Sequence, residues 1–148
     1  MLKIFCTVLA ALIASAAIGT PAEAQKRTVP KSAKQLSKKE IIAAFGGRKV
    51  LWRNDTQIGY SQNGYDIFSN DMTSAKGLAK QPRGNFSTTY IMRISFRGNV
   101  YCFASKSPGA KTFTPSPPIC VKVLRDGRKF YLVKANTGKL IIVSSVAN

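Results

Sequence analysis

The sequence predicts a mainly β domain with one short N-terminal helix, an antiparallel meander forming a small barrel or strongly curled sheet. Three observations predict it. Beyond residue 47 apolar and polar residues alternate with period two, as where Met92, Ile94 and Phe96 interleave with Arg93 and Ser95. Turn signals recur between the alternating runs, at Asn63-Gly64, Asn70-Asp71, Gly98-Asn99, Asp126-Gly127 and Asn136 to Gly138. Helix signals are concentrated in a single stretch after Ser37.

Residues 1–24 read as a signal peptide. Lys3 is a minimal basic start, Ile4 to Ile18 an apolar core, and Ala22-Glu23-Ala24 the small-residue pattern of a cleavage site before Gln25. The apolar run is short for a membrane anchor, which needs about 20 residues. The expected location is periplasmic or secreted. Residues 25–36 read as a basic disordered arm. Lys26, Arg27, Lys31 and Lys34 lie in it, and the run continues through Lys38 and Lys39 with no acid. The remaining span, 37–148, reads as one β-rich domain.

The domain opens with a helix. Ser37 and Glu40 have the spacing of a capping box, Leu36 and Ile41 that of a hydrophobic staple, and Gly46-Gly47 ends the run. Two turns are not stable alone, so the helix is expected to plug or clasp the sheet. Eight strands then follow. The first is 48–54. The next two, Ile58-Gly59-Tyr60 and Tyr65 to Phe68, form a hairpin about Asn63-Gly64. Tyr90 to Phe96 and Val100 to Ala104 come next, then 119–123, Phe130 to Val133 and Leu140 to Val146. Lys106 to Pro118, with four prolines and a glycine, reads as a loop. Loss of Cys6 with the signal leaves Cys102 and Cys120, an even pair that an oxidising compartment would bridge across that loop.

At this point the chain resembles a family of small exported proteobacterial proteins classed as a domain of unknown function. The resemblance runs over about residues 36 to 134. It rests on Leu36-Ser37-Lys38-Lys39-Glu40-Ile41-Ile42, Gly47 to Val50, Tyr101-Cys102, Cys120-Val121-Lys122-Val123, Asp126-Gly127 and Phe130 to Val133. Gly84-Asn85-Phe86 stands where the family pattern has Gly-x-Trp. The resemblance implies a signal peptide, a β-rich fold and a disulfide, and no activity.

Catalytic constellations are scarce. The chain has no His, which removes Ser–His–Asp and Cys–His arrangements and His-containing zinc sites. No glycine-rich phosphate loop is present, and no cofactor or metal is expected. Beyond residue 24 the acids are Glu40, Asp55, Asp66, Asp71 and Asp126. Glu40 is absorbed by the cap and Asp126 by its turn, which leaves little for a two-carboxylate hydrolase. The sequence predicts a protein that is not an enzyme.

Charge is the positive signal. There are 23 Lys and Arg against 6 Asp and Glu, a net charge of +17, which projects a long-range field toward anionic partners. Arg93, Arg97, Arg125, Arg128 and Lys129 are the candidate anion-binding residues, and Tyr101 and Tyr131 the candidate aromatic platform. The expected partner is an anionic envelope component: an anionic polysaccharide, lipopolysaccharide or an anionic lipid surface. Export argues against nucleic acid in vivo. Two alternatives are an interaction module (an inhibitor or envelope-stress adaptor) docking on an acidic protein, and a carrier whose apolar pocket is lined by Tyr90, Met92, Phe103 and Leu132.

Overall fold

A computed structural model describes residues 28–57, 60–80 and 86–148. The expected signal peptide and cleavage point before Gln25, together with Ile58-Gly59 and Gly84-Asn85, lie outside the described residues. The elements run β1 (Lys34–Gln35), α1 (Lys38–Phe45), β2 (Lys49–Gln57), β3 (Tyr60–Phe68), β4 (Ser74–Lys80), β5 (Ser87–Arg97), β6 (Val100–Lys106), β7 (Thr114–Asp126), β8 (Lys129–Lys134) and β9 (Leu140–Val146). From β2 to β9 each strand pairs antiparallel with the next, and β9 pairs back onto β2. The result is a closed eight-stranded meander barrel. Closure removes the exposed sheet edges that an open meander would leave.

Eight strands give an interior just wide enough for side chains to fill. One face of each strand supplies that filling: Val50, Phe68, Met92, Ile94, Tyr101, Val121, Val123, Phe130 and Leu132 are all buried. The strand β4 contributes only small inward residues, Ala75, Gly77 and Ala79, opposite Met92, Tyr90 and Thr88 of β5. A Cβ on Gly77 would run into the Tyr90 ring, and one on Gly64 of β3 into Trp52 and the Leu78 carbonyl. These glycines make room for two large rings.

The helix closes one end. Ser37 and Glu40 form the full capping box, and Leu36 and Ile41 are both buried as the staple requires. Phe45 enters the barrel mouth, its ring centroid 5.7 Å from Phe68 and 4.8 Å from Phe130. Gly47 has φ +67°, which takes the chain into β2. The Lys38 N–H donates to Asn99 Oδ1 at 3.0 Å, tying the helix start to the β5–β6 turn. Cys102 and Cys120 face each other on β6 and β7 and form a disulfide.

Four expectations are corrected. Asn63 and Gly64 do not turn the chain. They lie inside β3, Gly64 opposite Trp52, because the glycine serves the packing of that ring. Strand β4 is absent from the sequence expectation, since Ala, Gly and Lys are weak strand formers. The basic arm ends before residue 36: Lys34 and Gln35 pair with Arg125 and Leu124, and Leu36 is buried with its N–H on the Val123 carbonyl. The loop after β6 is shorter than expected, because β7 begins at Thr114 and carries Pro115, Pro117 and Pro118 at the barrel rim.

Candidate functional site

The strands β4, β5 and β6 are adjacent, and none contains an Asp or Glu. Their outer faces carry Lys76, Lys80, Arg93, Arg97 and Lys106. The described carboxylates are engaged elsewhere. Glu40 accepts from Ser37, which lowers its pKa. Asp71 accepts from Ser69 and Thr73 in the β3–β4 turn, which lowers its pKa as well. Asp66 is inside the barrel, and Asp126 stands opposite Lys129 across the β7–β8 turn.

On this wall two cations converge on one ring. The Arg93 guanidinium carbon and the Lys106 Nζ each lie 4.8 Å from the Phe113 centroid. The attraction of the ring for cations offsets part of their mutual repulsion, so positive charge is held in place without an acid.

The other candidate residues stand apart from this cluster. Arg97 is exposed at the plugged end of β5, four residues beyond Arg93 on the same outer face. Arg125 is at the same end, its Nε donating to the Gly127 carbonyl at 2.9 Å and its guanidinium 5.5 Å from the Phe130 centroid. Arg128 and Lys129 are exposed at the β7–β8 turn, and Lys34 pairs beside Arg125. The structure thus places Arg97, Arg125, Arg128 and Lys129 around the plugged end and Arg93 on the side wall.

The aromatic platform is corrected. Tyr101 is 3% exposed and faces the interior, and Tyr131 is 8% exposed between Leu124 and Val143. Neither offers a ring face to a ligand. Phe113, which sequence reasoning missed, is the half-buried ring that stands among the cations instead. In the sequence it is a lone large apolar residue in a proline- and lysine-containing loop, and nothing local to it names Arg93 as its neighbour.

The interior holds a second feature that the sequence reading does not single out. Trp52 Nε1 donates to the Tyr90 hydroxyl at 3.2 Å, and that hydroxyl donates to Asp66 Oδ1 at 2.5 Å. Burial pushes the Asp66 carboxyl up to about 6, with the Tyr90 and Trp52 hydrogen bonds pulling the other way. Tyr90 and Tyr101 are pushed up by burial and by the Asp66 charge. Asp66 and the buried Ser144, whose Oγ makes no hydrogen bond among the described residues, line a cavity of about 20 Å³ together with Trp52, Phe68 and Leu132. That volume suits one water molecule. Tyr90, Met92, Phe103 and Leu132, the residues expected to line a carrier pocket, do face the interior, but as packed side chains.

Among the described residues no group of three or more His, Cys, Asp and Glu is placed to hold a metal ion. Compared with protein-family models, curated proteins and solved structures, the chain matches none.

Proposed function

We propose that the protein is a non-catalytic binding protein of the periplasm or extracellular space that holds an anionic envelope component on its basic outer surface. The observation that carries this reading is the acid-free wall of β4, β5 and β6, with Arg93 and Lys106 stacked on Phe113. Charge that is merely solubilising needs no such arrangement. Interspersed acids would serve stability as well and would shorten the reach of the field. The disulfide between β6 and β7 is consistent with an oxidising compartment. The carrier alternative has less behind it, since ligand pockets run to roughly 300 Å³ or more and the cavity beside Asp66 measures about 20 Å³.

The test is binding to a soluble anionic polysaccharide across a salt series. Affinity should fall steeply with salt, because each neutralised charge releases condensed counterions. Arg93→Gln with Lys106→Gln should weaken binding by about fivefold per residue, the worth of one cation near an anionic surface, and should flatten the salt slope. The same change at Arg125 and Arg128 reports whether the plugged end contributes. Salt-independent binding, or full binding when Arg93, Lys106, Arg125 and Arg128 are all replaced by Gln, would refute the reading.

A further inference from the structure

The register of β2, β3 and β4 places nine outward side chains in three rows. Lys49 and Lys76 are the Cα partners of Ile67 on either side. Leu51 and Leu78 flank Tyr65 in the same way, and Arg53 and Lys80 flank Asn63. Side chains two apart on a strand share a face and stand roughly 6.7 Å apart, and neighbouring strands roughly 4.8 Å. The rows therefore form a patch on the order of 10 Å by 13 Å. Its middle row is apolar and the rows to either side carry cations.

Two of its aliphatic residues are unusually open. Ile67 is 49% exposed and Leu51 is 43% exposed, while their interior-facing neighbours Val50, Asp66 and Phe68 are buried. Lys49 lies across the patch, its Nζ 4.1 Å from the centroid of the central Tyr65 ring, and Leu51 and Ile67 keep their exposure with it there. No acid occurs at any of the nine positions.

We propose that this outer face of β2, β3 and β4 docks the protein on an anionic lipid bilayer, with Leu51 and Ile67 entering the headgroup–acyl boundary and Lys49, Lys76 and Lys80 on lipid phosphates. Tyr65 sits between them, an apolar ring with a polar tip suited to that boundary. Charge complementarity selects this occupant. A second copy of the chain would bring the same cations face to face, and a soluble polysaccharide has no apolar phase to receive the aliphatic residues. The inference rests on the reading that the partner is an anionic envelope component, and it names a lipid surface as one such component, met by a different wall from that of Arg93 and Phe113.

The experiment uses the disulfide-bonded protein and three probes: vesicles of phosphatidylglycerol with phosphatidylcholine, vesicles of phosphatidylcholine alone, and dextran sulfate as a polyanion without an apolar phase. The native protein should sediment with the phosphatidylglycerol vesicles and leave the neutral ones. Leu51→Ser with Ile67→Ser should lower that partitioning by about tenfold or more, the expected loss of two inserted aliphatic side chains, with dextran sulfate binding unchanged. Lys49→Gln with Lys76→Gln and Lys80→Gln should remove most of the salt-sensitive part. Ile67→Trp should show a blue-shifted emission component with phosphatidylglycerol vesicles only. Native-like vesicle binding by the double serine variant, or dimerisation that this variant abolishes while vesicle binding is retained, would overturn the docking face and leave the polyanion reading intact. Failure of the native protein to bind dextran sulfate, with vesicle binding retained, would overturn the Arg93–Phe113 wall instead.

Discussion

Asp66 lies inside the barrel with the Tyr90 hydroxyl as donor and, among the described residues, no cation facing it; the groups around it are Tyr90, Trp52, Tyr101 and Ser144. Its carboxyl rises from an ordinary 3.8 to about 6 on folding. Between those values the folded chain holds a proton that the unfolded chain releases, so this residue makes stability fall as pH rises from about 4 to 6. The full swing is about 3 kcal/mol. Glu40 and Asp71, with lowered pKa values, act in the opposite sense, but both are exposed and contribute little. Asp66→Asn keeps the shape and removes the titration. Denaturant unfolding at pH 4 and pH 7 should show the native protein losing stability relative to the Asp66→Asn variant over that interval. Parallel curves for the two proteins would mean that Asp66 is not held protonated.

At the scale of elements, legibility followed local chemistry. The helix α1 was readable from Ser37, Glu40, Leu36, Ile41 and the Gly46-Gly47 stop, because capping is decided by residues close in sequence. Strands β5 to β9 were readable from alternation and their turns. Strands β3 and β4 were not, and for one reason. Gly64 and Gly77 are where they are because Trp52 and Tyr90 lie over them, a long-range fact that a local reading mistakes for a turn or a gap. The expected count of eight strands still agreed, since splitting β3 in two offset the omission of β4. Among site residues, the cations were legible by composition and Phe113 was not, since only the fold brings it between Arg93 and Lys106. The same reasoning makes β4 sensitive to a single methyl group. Gly77→Ala places a Cβ in the Tyr90 ring and forces it away from Asp66 and Trp52. The expected loss is about 2–4 kcal/mol, as for other overpacked or unpaired interiors. Gly98→Ala reports glycine replacement where nothing lies within 4 Å; its φ of +60° leaves only the backbone cost, roughly 1 kcal/mol. Equal losses at both positions by chemical denaturation would remove the packing explanation.

For the whole molecule, charge sets the dominant long-range term. From residue 25 on the sequence has 22 Lys and Arg against 5 acids, and of the described charged residues the barrel interior takes only Asp66. Like charges on a compact surface repel one another more than they do along an expanded chain, so the fold carries a self-repulsion that salt relieves. At 0.1 M the Debye length is about 10 Å, shorter than the distance across the barrel, and most of that repulsion is screened. The melting temperature should therefore rise as sodium chloride goes from about 10 to about 300 mM, by roughly 4–8 °C for one or two kcal/mol in a domain of this size. A protein stabilised by surface ion pairs would shift the other way. Phosphate at matched ionic strength separates screening from binding: a further rise beyond chloride, lost in Arg93→Gln with Lys106→Gln, would place an anion at the Phe113 cluster. A melting temperature indifferent to salt would mean that the cations are compensated locally, and the acid-free wall would then lose its role as the source of the field.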